Sequence, residues 1–157
     1  MSASLWTPMP IKKLWLRISP NRMQKIPLKK FLPGIVWFLI VLILTCMPGR
    51  DVPEIGWLDG IYFDKWVHAG MFGGLTLLCS WPFYKSNFSA QVRLHYFIKI
   101  AFAASIWGLT IEFIQKFYAI NRDFDLLDWV ADSFGVLVAF FICKKIFITD
   151  SFLNRKK

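Results

Sequence analysis

Residues 31–47, FLPGIVWFLIVLILTCM, hold no charged side chain and stand between Lys30 and Arg50. As a helix rising about 1.5 Å per residue, a run of this length approaches the roughly 30 Å of a bilayer's hydrocarbon core. Three more apolar runs follow: Trp66 to Tyr84, closed by Lys85, then Leu94 to Tyr118, then Trp129 to Ile148. The third carries Lys99 near one end and Glu112 near the other. The fourth has Asp132 near its start and Lys144 and Lys145 near its end, where long stems let the ammonium groups reach the interface. The pattern predicts an all-α polytopic membrane protein, a four-helix transmembrane bundle. Composition agrees: 56% of 157 residues are hydrophobic, 18% are aromatic, and mean hydropathy is +0.47. A water-soluble domain of this size has no place to hide that much apolar surface.

The segments between the runs alternate in charge. Residues 1–30 contain Lys12, Lys13, Arg17, Arg22, Lys25, Lys29 and Lys30 and no acid. The first loop sets Arg50 against Asp51, Glu54, Asp59 and Asp64; the second has Lys85 and Arg93. The third sets Arg122 against Asp123, Asp125 and Asp128, and the tail is basic again with Arg155, Lys156 and Lys157. Lys and Arg mark the cytoplasmic side of a membrane protein. Both termini are therefore expected inside (N-in/C-in), with loops one and three outside. Three regions follow: a basic interfacial arm over 1–30, a four-helix domain over 31–148, and a basic tail over 149–157. No small-x-small cleavage site follows the first run, so it reads as a retained anchor rather than a signal peptide.

The net charge of +9 is the kind of value that suggests nucleic acid, but the basic residues flank apolar runs and no nucleic-acid motif is visible. Anionic lipid headgroups are the expected contacts, and nucleic acid is not an expected partner. Cys46, Cys79 and Cys143 all lie in apolar runs, without CxxC or Cys/His spacing, and read as small apolar residues.

Helical periodicity sorts the polar residues. On the third run Ala101, Ser105, Gly108, Glu112, Gln115 and Ala119 share a stripe of small and polar groups. On the fourth, Asp128, Asp132, Gly135 and Ala139 do the same. The second run is expected to use two faces, with Gly70, Gly73 and Gly74 (a GxxxG) for close packing and Asp64, Lys65 and His68 roughly opposite. With the expected topology, Asp64, Lys65, His68, Glu112, Gln115, Arg122, Asp125, Asp128 and Asp132 all arrive near the outer side. An ionisable group inside a span costs about 2.5–3.5 kcal/mol on insertion scales, so these groups are the natural partners of one another.

The ordered set Asp64-Lys65-x-x-His68, Glu112-x-x-Gln115 and Arg122-x-Phe124-Asp125-x-x-Asp128-x-x-Ala131-Asp132-x-x-Gly135 resembles the VanZ-like family of small bacterial membrane proteins. The match covers roughly residues 60–140, and the first span fits the family layout. Asp132 departs from it, standing where many relatives are expected to carry Asn, which adds a charge. The resemblance implies the bacterial cytoplasmic membrane, a cell-envelope role and, because the namesake is associated with teicoplanin resistance, an influence on glycopeptide susceptibility.

Four functional readings stay open. The nine polar residues can bind an envelope lipid headgroup or a lipid-linked precursor, with Lys65 and Arg122 on phosphate and Asp128 or Asp132 on sugar or amine groups. They can act on such a lipid, with His68 as acid/base oriented by Asp64, and Glu112 and Asp128 as further catalytic candidates. No cofactor is evident, although the carboxylates and His68 can hold a divalent cation. HExxH and GxSxG signatures are absent from the sequence. They can instead serve as a network that only fixes the bundle, with Asp64 bonded to His68 and Lys65 to Glu112 or Asp128. Transport is the fourth reading, disfavoured by the lack of an internal repeat.

Overall fold

The computed structural model describes residues 25–47, 62–118 and 124–148, and every regular element among them is helical. A single 3-10 turn, Leu28–Phe31, leads into α1, Leu32–Thr45. Pro33 lies in the first turn of α1, where a missing N–H breaks no intrahelical bond. α2 is Phe63–Tyr84 and stops two residues after Pro82. α3, Ala90–Tyr118, starts behind Ser89, whose Oγ accepts from Val92 N–H at 3.4 Å. α4 is Leu126–Cys143, with Asp125 as its N-cap accepting from Leu127 N–H at 2.8 Å, and it runs on into a π-helical turn, Lys144–Ile148.

Three helical segments are long and apolar enough to cross a membrane: Leu28–Thr45, Ala90–Tyr118 and Leu126–Ile146. α2 is not among them. It carries Asp64, Lys65 and His68 in its first two turns and a run of small residues after them, which lowers its hydropathy. It is also the innermost helix, packing on α1, α3 and most extensively on α4, so it needs the least lipid-facing apolar surface. The outward faces of the other helices are apolar: Leu32, Leu39 and Ile43 on α1, Phe102 and Ile106 on α3, and Phe134, Leu137 and Phe141 on α4 are exposed. Water would penalise that arrangement, whereas hydrocarbon is its natural solvent.

The core is built in two layers. Val41, Met71, Phe72, Ala104, Ile111 and Val136 fill the middle. Phe83, Phe97 and Cys143, with Phe31, Tyr96 and Phe140 against them, fill one end. Lys29, Lys30, Lys85, Arg93, Lys144 and Lys145 belong to that same end by chain order. The three cysteines are free thiols.

Glycines decide how closely α2 and α4 approach, and here the sequence expectation needs correction. Gly70 is exposed, with open space where a Cβ would project, so among the described residues Gly70–Gly74 does not pack as a motif. Gly73 instead meets the Gly135 carbonyl (3.1 Å from a Cβ placed on Gly73), and Gly74 seats the Trp37 indole. A Cβ on Gly135 would overlap the backbone of Ala69. Gly73 and His68 are therefore not opposite in use: both address α4, because backbone contact at Gly135 brings α4 alongside Ala69 and Gly73 and leaves His68 facing its first turns, while Gly74 faces α1.

Candidate functional site

His68 stands early in α2, Glu112 late in α3, and Asp128 and Asp132 early in α4, so three helices deliver these groups to one end of the bundle. Glu112 and Asp132 are 0% exposed, and His68 and Asp128 are also buried. Lys65 and Asp125 are half-buried, and Asp64 is exposed at the rim.

Lys65 is fully engaged. Its Nζ lies 2.5 Å from Asp125 Oδ2, 2.5 Å from Asp128 Oδ1 and 3.1 Å from Asp64 Oδ2. The expected pairing with Asp128 is present, while Glu112 is not a partner of Lys65. Nor does Asp64 orient His68. The His68 Nδ1 hydrogen-bonds Asp132 Oδ1 at 3.0 Å, and its Nε2 faces Asp128 Oδ2 at 3.8 Å. The reason is geometric: Asp64 lies at the open end of α2, within reach of the flexible Lys65 stem, whereas His68 points at α4.

Asp125 is the corner of the site. Its N–H donates to Glu112 Oε2 at 3.0 Å, one carboxylate oxygen caps α4, and the other meets Lys65. The Lys65 ammonium holds its carboxyl below the usual carboxylate range, reinforced by the Leu127 N–H and opposed by partial burial. Three helices are thus tied together through one short loop residue.

Two carboxylate oxygens remain without hydrogen-bond partners among the described residues: Glu112 Oε1 and Asp132 Oδ2. Gly108 makes room for the second, since a Cβ there would stand 2.8 Å from Asp132 Oδ2. His68, Glu112 and Asp132 each offer one donor atom, and these atoms lie within 4.8 Å of one another. Counting formal charges among the described residues, five carboxylates (Asp64, Glu112, Asp125, Asp128, Asp132) face one lysine and one histidine, an acidic excess.

Gln115 turns away from this cluster. It is buried, and its Nε2 donates to the Thr45 carbonyl at 2.7 Å, closing the last turn of α1 onto α3. Arg122, the other expected cation, lies outside the described residues. The sequence also gave no notice of Ser133, whose Oγ bonds Ser105 Oγ at 2.8 Å, or of Trp129, whose Nε1 donates to the Ser105 carbonyl at 3.1 Å. A lone Ser or Trp in an apolar run carries no spacing signal, and only the α3–α4 pairing reveals these ties. No family model, curated protein or solved structure matches the chain.

Proposed function

We propose that the chain is a VanZ-like, four-span protein of the bacterial cytoplasmic membrane, with both termini inside. Its acidic end then lies at the outer leaflet, where it binds the headgroup of an envelope lipid or lipid-linked precursor. The carrying observation is the pair of fully buried carboxylates, Glu112 and Asp132, each with an oxygen lacking a partner among the described residues, beside His68. Burying an ionised carboxylate costs several kcal/mol unless something compensates it, and a bundle held together by apolar packing has no need of two. The charge division between the ends supports the orientation, since Lys29, Lys30, Lys85, Lys144 and Lys145 gather opposite the acids. Among the described residues, Lys65, bound by the acids, and Lys116, exposed on the last turn of α3, are the exceptions.

The geometry refines which part of a headgroup is recognised. Lys65 already serves three carboxylates, so it is not a free phosphate contact. The excess negative charge suits an amine, sugar hydroxyls or a divalent cation, and a cation on the inner carboxylates would present positive charge to a phosphate. An influence on glycopeptide susceptibility follows from occupancy of such an envelope lipid.

The test is native mass spectrometry of the protein extracted from its own membranes, with headgroup classes identified. Wild type retains a defined headgroup class, and Asp128→Asn loses it while keeping the bundle intact. Equal retention by both, or only bulk phospholipid on wild type, reduces the cluster to scaffolding. A second reading, acid–base catalysis on the bound lipid, is favoured by the His68–Asp132 hydrogen bond. Turnover of labelled lipid precursors, abolished by His68→Ala, would establish it; silence from active-level preparations would remove it.

A further inference from the structure

We propose that His68, Glu112 and Asp132 form a binding site for one first-row divalent metal ion of the Zn2+ or Mn2+ class. The inference rests on the reading of this cluster as a ligand site and names its first occupant. Three helices each contribute one donor: an imidazole nitrogen from α2, a carboxylate from α3 and a carboxylate from α4. The donor atoms lie within 4.8 Å of one another. Ligands at about 2.0–2.2 Å from a shared ion are roughly 3–4 Å apart, so side-chain movements of under about 1 Å close the set.

Two independent features point to an ion. Glu112 Oε1 and Asp132 Oδ2 are buried and have no hydrogen-bond partner among the described residues, although both side chains are 0% exposed. And the only nearby ammonium among the described residues, that of Lys65, is held at the rim by Asp64, Asp125 and Asp128, leaving the two inner carboxylates with the His68 imidazole alone, which carries too little charge to neutralise both. A doubly charged ion cancels both. The imidazole donor selects against Mg2+ and Ca2+, which prefer all-oxygen shells, and the absence of a thiolate in the set argues against the softest ions. Each ring nitrogen of His68 faces a carboxylate, Asp132 from Nδ1 and Asp128 from Nε2. With Nε2 as the ligand, Nδ1–H keeps Asp132 Oδ1 as its acceptor at 3.0 Å, the arrangement that fixes the tautomer of metal-bound histidine. Three protein ligands leave coordination positions for water or for the oxygens of a headgroup phosphate.

The experiment uses the full chain in detergent, stripped with a chelator, dialysed, and offered Zn2+ or Mn2+ separately in the presence of excess Mg2+. Metal content is measured by elemental mass spectrometry, and the Mn2+ sample is read by pulsed electron paramagnetic resonance for coupling to a histidine nitrogen. The expected result is one ion per folded chain, with nitrogen coupling that vanishes in His68→Ala but survives in His95→Ala. The isosteric variants Glu112→Gln and Asp132→Asn weaken binding by at least about tenfold, the lower end of what loss of a mere supporting partner costs. His95→Ala, exposed near the opposite end of α3, takes up the ion as wild type does. Folded wild type that takes up no ion, binds without nitrogen coupling, or is unaffected by both isosteric variants overturns the proposal. Lipid retention is recorded on the same preparations. Lipid without metal sinks this inference and leaves the headgroup reading standing; metal without lipid does the reverse.

Discussion

Gly135→Ala tests whether the backbone contact between α2 and α4 sets the geometry of the acidic site. A Cβ at Gly135 would stand 2.6 Å from the Ala69 carbonyl carbon and 2.8 Å from its Cα, and closer still to the carbonyl oxygen. Non-bonded carbons settle at about 3.5 Å or more, so the helices must part by about 1 Å. Backbone cannot rotate aside as a side-chain tip can. The His68–Asp132 hydrogen bond, now 3.0 Å, then stretches to a length at which it no longer holds. Overpacking costs about 1–3 kcal/mol, and a hydrogen bond to a charged group contributes about 1.5–3 kcal/mol. Alanine's better helix propensity returns only about 0.5–1 kcal/mol. A net loss of at least about 1.5 kcal/mol is expected, scaled from those contributions. Gly70→Ala is the matched control: the same chemical change meets open space and stays within about 0.5 kcal/mol of wild type or stabilises. Reversible unfolding in mixed micelles, followed by circular dichroism, gives both values. If Gly135→Ala is as harmless as Gly70→Ala, the helices are not in contact at this point and the reasoning fails.

Gln115→Leu leaves the Thr45 carbonyl without its donor and should cost about 1–3 kcal/mol, while metal content and headgroup retention stay at wild-type levels; a drop in binding would return Gln115 to the site. Asp125, held below the usual carboxylate range by Lys65, contributes stability that is present above its unfolded pKa of about 3.9 and is lost as pH falls through its lower folded value. Lys65→Met should move the Asp125 carboxyl upward in a carbon-detected NMR titration and bring acid unfolding to higher pH; an unmoved titration would show that Lys65 is not its partner in solution. Topology is checked by single cysteines in a background lacking Cys46, Cys79 and Cys143. Asp64→Cys should react with a membrane-impermeant maleimide added to intact cells and Lys85→Cys only after lysis, and the opposite pattern would invert the protein and place the acidic site inside.

The apolar runs, their helical nature and the convergence of Asp64, Lys65, His68, Glu112, Asp128 and Asp132 on one end were legible in the residues alone. Run length, alternation of loop charge and the 3.6-residue period depend only on local geometry and on where each polar residue falls along its helix. Which groups touch was not legible. Periodicity assigns a residue to a face of its own helix but says nothing about which neighbour covers that face. The apolar outer surface of the bundle also blurs the usual contrast between buried and exposed sides. The tertiary structure therefore decided that His68 pairs with Asp132 rather than Asp64, and that Lys65 is taken up by Asp64, Asp125 and Asp128. It sent Gln115 to the Thr45 carbonyl, and it made Gly73 and Gly135, not Gly70, the close contact. The pairings between α2 and α4 follow from one close approach of the two helices, permitted by the absence of a Cβ at Gly135, a distance between two backbones that no one-dimensional pattern encodes.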